Sequence, residues 1–312
     1  MKIIRRDFLK TAVAAAIAPP PLVRLSAAQA AAPSVSFPTV PRERIAVSSY
    51  PFREFIAGAH DPHATSSKMP IKEFAAHVRQ KFNVTRIEPW SEHFLSLDAA
   101  YLDELKAAVA KAGCGFANIA ADGRDSFYSR DPAIRQRAVE FGKRWADVAA
   151  RIGSPSVRIN LPADKQAKPD AALVADSLKT LAAYAASRSV VVHHENDNPV
   201  SEDPFFLASV LDRVGSPWER ALPDFGNSLA ALPPEEAYRG LDLMFARSYG
   251  ICHVKDPISN DQGVRVPVDL ARAFGIAKKH DYKGYYSMEW DTEGDPYDGT
   301  AKLIEATLGN LS

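Results

Sequence analysis

VVVHHE at residues 190–195 is the first of four short segments that each end in a potential metal ligand. The others are ALPD at 221–224, GICH at 250–253 and GYYSME at 284–289. Their last residues, Glu195, Asp224, His253 and Glu289, are separated by 224−195 = 29, 253−224 = 29 and 289−253 = 36 residues. This spacing is close to one strand–helix unit if eight units make a barrel of about 250 residues. Because every strand of a parallel barrel opens on the same face, four ligands from successive strand ends can converge on one ion.

Strand-like and helix-like patterns alternate eight times from Ile45 to the C-terminus. The pattern predicts strands at 45–49, 84–88, 116–120, 156–160, 190–194, 220–223, 249–253 and 285–289. It predicts helices at 71–81, 97–112, 132–152, 171–187, 205–214, 234–246, 268–280 and 300–308. Such alternation is typical of parallel βα units. Eight units favour an α/β fold, a single-domain (β/α)8 TIM barrel, over an open doubly wound sheet.

The N-terminus has the pattern of a twin-arginine export signal. Arg5-Arg6-Asp7-Phe8-Leu9-Lys10 precedes an apolar stretch and small-residue sites such as Ala28-Gln29-Ala30. The apolar stretch ends at Pro19-Pro20-Pro21 and is shorter than the roughly 20 residues of a spanning helix. We therefore predict a signal peptide at 1–30, a linker at 31–43 and the barrel at 44–312. This predicts a periplasmic or otherwise exported protein that uses the twin-arginine machinery.

The overall charge argues against two classes of partner. Lys plus Arg and Asp plus Glu each number 38, and no basic block stands out. Nucleic acid and an anionic membrane surface are therefore not expected partners. Stable membrane insertion is not expected either, because the apolar stretch before Pro19 is too short. No glycine-rich fingerprint opens a helix after a strand, which disfavours a dinucleotide site. The sequence leaves the oligomeric state open, a homodimer included.

Three motifs carry a resemblance to a known family: Leu222-Pro-Asp-Phe-Gly-Asn227, His253-Val-Lys-Asp256 and Lys283-Gly-Tyr-Tyr-Ser-Met-Glu289. Together, from about Ile45 to the C-terminus, the chain resembles the xylose isomerase-like TIM barrels, the sugar phosphate isomerase/epimerase group. The resemblance implies a carbohydrate substrate. It also implies that one divalent ion is held by Glu195, Asp224, His253 and Glu289, and that Glu195 and Glu289 are the catalytic acid/base pair.

The chain departs from the ketose 3-epimerases of that group at two positions. Asn227 stands where those enzymes have a His three residues after the Asp ligand, and Ser259 replaces a substrate-binding Arg. These changes put activity on a simple free sugar in doubt and leave the metal centre intact. The endonuclease branch of the superfamily needs a histidine-rich cluster of three zinc ions, for which this chain has too few suitably placed His residues.

The ligand set predicts the chemistry of the site. Three carboxylates and one imidazole favour Mn²⁺, with Co²⁺, Mg²⁺ and Zn²⁺ as alternatives. An ion with open positions can chelate a carbonyl and a neighbouring hydroxyl of a sugar and acidify the adjacent C–H. One carboxylate then removes the proton to give an enediolate, and a second returns it on the other side.

Further polar and aromatic residues at strand ends are candidates for substrate binding. Side chains alternate along a strand, so His193 shares the inward face of Glu195, and Arg158 shares a face with Asn160. A core His, a structural salt bridge of the Arg, core packing of tryptophan and a local Lys255–Asp256 ion pair are the competing interpretations. The candidates are Glu88, Trp90, Arg158, Asn160, His193, Asn227, Lys255 and Trp290.

The function that these patterns predict is a metal-dependent sugar or keto-sugar isomerase or epimerase. The first alternative is a lyase that opens 3-keto-glycosides by β-elimination with the same ligands. The second is a non-catalytic sugar-binding barrel. Product analysis separates the first two, and metal content with solvent-proton exchange separates both from the third.

Overall fold

The computed structural model describes residues 32–59, 68–260 and 262–311. The predicted signal peptide lies outside the described residues. Strands within the described part are β1 (Ile45–Ser48), β2 (Arg86–Glu88), β3 (Gly115–Phe116), β4 (Ala120–Ala121), β5 (Ser156–Ile159), β6 (Val191–Glu195), β7 (Glu219–Leu222), β8 (Ile251–Val254), β9 (Ile258–Ser259), β10 (Arg265–Val266) and β11 (Tyr285–Met288). The α-helices are α1 (Ile71–Phe82), α2 (Ala99–Lys111), α3 (Pro132–Ile152), α4 (Ala171–Ser187), α5 (Asn198–Ser201), α6 (Pro204–Val214), α7 (Asn227–Ala231), α8 (Pro234–Phe245), α9 (Leu270–Lys279) and α10 (Pro296–Leu311).

Parallel strands close into a barrel through two sheets that meet at both edges. One sheet has the order β3-β2-β1-β11-β8 and the other the order β4-β5-β6-β7. Parallel bridges join the sheets, from Trp90 to Ala120 at one edge and from Asp224 to His253 at the other. The (β/α)8 barrel predicted from the alternation is confirmed.

Capping residues in the sequence mark where several helices begin and end. Asp131, Asp170, Asp203 and Asp269 accept hydrogen bonds from the first-turn N–H groups of α3, α4, α6 and α9, which otherwise have no partner. Gly153 follows α3 with φ of 83°, the left-handed conformation that glycine adopts without a steric cost. Helices α3 and α4 have the predicted bounds, and the other predicted helices are found within a few residues of theirs.

The third barrel strand and the segment after β8 differ from the prediction. The predicted strand at 116–120 is divided into β3 and β4, which pair with β2 and β5 respectively. After β8 the chain forms an antiparallel hairpin of β9 and β10, with Ser259 opposite Arg265. Strands β9 and β10 span two residues each, which is too short to show a strand period in the sequence.

The predicted linker packs on the barrel. Phe37 contacts the rings of Tyr249 and Tyr285 edge-on, each at 5.6 Å between ring centroids. The Tyr249 hydroxyl donates to Pro33 O and accepts from Val35 N, both at 2.9 Å. Within the described residues, no helix combines the length and apolarity needed to cross a membrane.

Candidate metal centre and its surroundings

Four neighbouring barrel strands bring the predicted ligands to one end of the barrel. Glu195 is the last residue of β6, and Asp224 lies two residues after β7. His253 lies in β8, and Glu289 directly follows β11. Strand β6 pairs with β7, β8 pairs with β11, and the Asp224–His253 bridge joins the two pairs. All four residues therefore lie at the carboxyl ends of strands, where active sites of such barrels are found.

Their side chains form one buried cluster. A ligand atom from each of Glu195, Asp224, His253 and Glu289 lies within 4.8 Å of the other three. His253 Nδ1 is 2.9 Å from Glu195 Oε1, 3.1 Å from Glu289 Oε2 and 3.9 Å from Asp224 Oδ2. The four residues are between 0% and 4% exposed. The imidazole therefore faces three carboxylates through its Nδ1 atom.

The two carboxylate oxygens of Asp224 have different roles. Oδ1 accepts hydrogen bonds from Gly226 N at 2.8 Å and Asn227 N at 2.7 Å, which caps the turn that leads into α7. Oδ2 is buried without a hydrogen bond and lies 3.5 Å from Lys255 Nζ. The turn cap therefore fixes the carboxylate so that its second oxygen points into the cluster.

The donor set fits a divalent ion. Glu195 Oε2 and Asp224 Oδ2 are both buried without a hydrogen bond, although Arg158 and Lys255 lie 3.1 and 3.5 Å from them, so both oxygens have lone pairs available to a further cation. Three carboxylates with a single imidazole are ligands that Mn²⁺, Mg²⁺, Co²⁺ and Zn²⁺ accept. The residues present therefore match the ion that the sequence predicts.

Each of the two candidate Glu ligands has a side-chain cation of its own. Arg158 Nε lies 3.1 Å from Glu195 Oε2, and Lys255 Nζ lies 3.0 Å from Glu289 Oε2. Asn227 connects the two sides, since its Nδ2 donates to Glu195 Oε1 at 3.0 Å and its Oδ1 accepts from Lys255 Nζ at 2.9 Å. The Lys255–Asp256 ion pair considered above is not formed, because Lys255 turns into the cluster.

The electrostatics differ between the carboxyl groups. Burial raises the pKa of Glu195 above its ordinary value, and it raises the pKa of Asp224 to about 6. Burial opposes the ionisation of Glu289 as well, but the charges of His253 and Lys255 outweigh it and lower the pKa of Glu289. For His253, burial is outweighed by Glu195, Glu289 and Glu88, which raise its pKa well above the ordinary range. The metal-free cluster thus holds its excess negative charge with protons and side-chain cations.

Glu88 does not fit the substrate contact predicted for it. Its carboxylate is fully buried and accepts from Asn118 Nδ2 at 2.7 Å and Ser287 Oγ at 2.6 Å. His253 Nε2 lies 3.1 and 3.0 Å from its two oxygens. Both oxygens are therefore engaged by protein groups, which a strand-end position in the sequence does not reveal.

Three further candidates also contact protein rather than an open site. Arg158 pairs with Asp122 and Glu195, so the competing interpretation of a structural salt bridge fits its position. Asn160 accepts from Gly123 N at 2.7 Å and donates to Gly123 O at 3.2 Å. His193 is buried two residues before Glu195, where its Nε2 accepts from Gly250 N at 3.4 Å, as expected for a core histidine.

The two tryptophan candidates lie in different surroundings. Trp290 is half-buried and packs on helix α10 so closely that a Cβ atom on Gly299 would come within 2.4 Å of its ring, and its stacking on a sugar stays a prediction. Trp90 is half-buried, donates from Nε1 to Asp122 at 2.6 Å, and contacts the Tyr50 ring edge-on at 5.1 Å. A substrate contact of Trp90 stays a prediction.

Sequence reasoning missed Asp122 and Tyr50. Asp122 directly follows β4 and pairs with Arg158, while Tyr50 follows β1 and receives the Arg53 guanidinium over its ring at 4.4 Å. Both follow a barrel strand by one or two residues, the same signal that identified the candidate metal ligands. They are at the same end of the barrel as the cluster.

A comparison with models of protein families shows to which family the chain belongs. The family model of xylose isomerase-like TIM barrels matches residues 78–308. The chain belongs to this family. The match includes all four cluster residues, and none of the curated proteins compared with the sequence matches it.

Solved structures share the fold of this family member at low sequence identity. A D-allulose 3-epimerase from Methylomonas sp. is 17% identical with a TM-score of 0.65, and the match covers 87% of this chain and 98% of that chain. A xylose isomerase-like TIM barrel protein from Mycobacterium smegmatis in complex with magnesium is 15% identical, with a TM-score of 0.64 and coverage of 86% and 97%. The 3-keto-D-glucoside 4-epimerase from E. coli is 15% identical, with a TM-score of 0.60 and coverage of 81% and 98%.

Proposed function

We propose that this protein is a divalent-metal-dependent isomerase or epimerase of a sugar or keto-sugar. The observation that carries the proposal is the buried cluster of Glu195, Asp224, His253 and Glu289 at the carboxyl ends of four adjacent barrel strands. Similar folds belong to proteins named as epimerases of allulose and of 3-keto-glucosides, which supports a carbohydrate substrate. Family membership adds to this support.

The residues of the cluster and their neighbours have different roles in the proposed proton transfer. A divalent ion bound here would polarise the carbonyl of a keto-sugar and so acidify the neighbouring C–H group. Glu195 and Glu289 then act as the base that removes this proton and the acid that returns one. Asn227 and Arg158 hold the Glu195 carboxylate, while Lys255 holds Glu289. These contacts fix both carboxylates in place before a substrate arrives.

The charges around the cluster favour an unphosphorylated substrate. The two cations that contact the Glu ligands, Arg158 and Lys255, are already paired with carboxylates. A phosphate brought to this centre would meet the acidic cluster rather than a free guanidinium or ammonium group. The export that the twin-arginine pattern predicts points the same way, because sugar phosphates are largely cytoplasmic.

A lyase is the second candidate, because it needs the same first step. Removal of the acidified proton from a 3-keto-glycoside that carries a leaving group at the β carbon leads to elimination. The fold shared with an enzyme named for 3-keto-D-glucosides favours substrates of this kind. The replacements at Asn227 and Ser259 favour them over simple ketoses.

Exchange with heavy water tests the proposed function. We expect the metal-loaded protein in D₂O to exchange the C–H next to the carbonyl in at least one sugar or 3-keto-glycoside of a panel. Epimerised or isomerised product seen by NMR supports the first candidate, and released aglycone supports the lyase. Protein stripped of metal serves as the control. Metal-loaded protein that binds a panel sugar without any exchange would instead be a sugar-binding barrel.

Export is a separate proposal that rests on the sequence of residues 1–30. We expect replacement of Arg5 and Arg6 by lysine to hold the protein in the cytoplasm, because the twin-arginine pair is the recognised element of such a signal. Fractionation followed by immunoblotting measures this. The circular dichroism spectrum should stay unchanged, since both residues precede the barrel. Full export of the double-lysine variant would contradict the proposal.

A further inference from the structure

A fourth buried carboxylate, outside the candidate metal cluster, lies against His253. Glu88 ends β2 inside the barrel, and none of its surface is exposed. It is the acceptor for Asn118, Ser287 and His253, which come from the third barrel strand, β11 and β8. Asn118 is itself fixed, because its Oδ1 accepts from Ser156 Oγ at 2.7 Å. Groups from four other barrel strands therefore hold the Glu88 carboxylate beside the His253 imidazole, either directly or through Asn118.

The two ring nitrogens of His253 face different partners. Nε2 lies 3.0 and 3.1 Å from the Glu88 oxygens, while Nδ1 faces Glu195 and Glu289 at 2.9 and 3.1 Å. A neutral imidazole carries its proton on one nitrogen and a lone pair on the other. A carboxylate can only accept, and His253 faces carboxylates through both nitrogens, so without a metal both nitrogens are drawn towards the protonated form. A cation bound among Glu195, Asp224 and Glu289 would replace the proton on Nδ1, and Glu88 would then keep the remaining proton on Nε2.

We propose that Glu88 is a positioning residue that fixes the Nε2–H tautomer of His253 and turns Nδ1 towards the metal. This inference rests on the proposed function, since it concerns the same metal centre. It assigns a role to a buried acid that takes no part in proton transfer to the substrate. Partners of this kind orient ligand rings and raise their basicity, and their loss costs about 10- to 100-fold in metal affinity.

The protein contains a matched pair for comparison. Glu219 is also fully buried, and its Oε2 lies 2.6 Å from His194 Nε2. The other nitrogen of His194 lies 2.8 Å from Ile159 O, so this ring serves the backbone and does not face the cluster. Glu219→Gln therefore removes the same charge from the same kind of buried pair without touching a proposed ligand.

The test compares Glu88→Gln with Glu219→Gln, using Zn²⁺ alone as the probe. A Gln side chain keeps the size of Glu and can still accept from Nε2–H through its carbonyl oxygen, but it lacks the negative charge. We expect Glu88→Gln to weaken Zn²⁺ binding by about 10- to 100-fold in competition titrations, and Glu219→Gln to change it by less than about threefold. In Zn²⁺-loaded protein labelled with ¹⁵N-histidine, we expect the Nε2–H proton of His253 to move upfield in Glu88→Gln alone.

Four results would overturn the inference, the last of them from a second variant. Wild-type Zn²⁺ affinity in Glu88→Gln refutes it while the metal centre stands, and equal weakening by both variants assigns the effect to general destabilisation. Absence of Zn²⁺ binding by the wild type refutes the metal centre and the inference together. If Glu88→Gln does not fold, Ser287→Ala removes one hydrogen bond to Glu88 and should weaken Zn²⁺ binding in the same direction by up to about 10-fold. Unchanged affinity in that variant refutes the inference.

Discussion

His253→Ala and Asp224→Asn each lose the divalent ion that we expect wild-type protein to hold at close to one per chain. His253 supplies the nitrogen that faces three carboxylates, so its loss removes a ligand and leaves buried negative charge without compensation. Asp224→Asn is the more specific test of the two. Its amide oxygen can still accept hydrogen bonds from Gly226 N and Asn227 N, as Oδ1 does, while the carboxylate charge that faces the cluster is lost. We expect each change to weaken binding by more than about 100-fold, above the effect of losing a supporting partner.

Elemental analysis measures the metal content of each variant, and titration with Mn²⁺, Co²⁺, Mg²⁺ and Zn²⁺ measures its affinity. His193→Gln is the matched control, because His193 is buried in the same barrel and contacts Gly250 rather than the cluster. A ligand that binds the folded state raises the melting temperature, so saturating metal should stabilise wild type and His193→Gln but neither ligand variant. Wild-type protein that retains none of the four ions would refute the metal centre.

Glu195→Gln and Glu289→Gln each slow turnover by at least about 100-fold, the effect of losing a general acid or base. Glutamine keeps the shape and one oxygen for the metal, so the loss should exceed any change in folding. In a two-base epimerase, one variant can still exchange the substrate C–H with D₂O without forming product, because different residues remove and return the proton. In an elimination, Glu195→Gln should block aglycone release, while Glu289→Gln retains part of it.

Metal occupancy must be measured in each variant, because both residues are proposed ligands as well as proton carriers. Glu219→Gln again provides the control, since it neutralises a buried glutamate outside the cluster and should keep the wild-type rate. Wild-type turnover by both Glu195→Gln and Glu289→Gln at full occupancy would remove these residues from the mechanism. The ion would then have a structural role.

The sequence alone determined the fold and the members of the cluster. Strand and helix periods are local properties of the chain, so eight alternations could be counted without knowing any contact. The position of each ligand at or just beyond a strand end then placed Glu195, Asp224, His253 and Glu289 on one face, because parallel strands share a direction. The structure brings these four side chains within 4.8 Å of one another, although their roles as ligands stay predictions.

Only the tertiary structure decided what the neighbouring polar residues contact. Alternation along a strand tells which face a side chain occupies, but not which group lies opposite it. The opposite group depends on the tilt and stagger of neighbouring strands, which the sequence of a single strand does not specify. Glu88 therefore faces His253 across the barrel, Arg158 reaches Asp122 and Glu195, and Trp290 packs on α10. Each was predicted to bind substrate because its strand-end position was visible in the sequence and its partner was not.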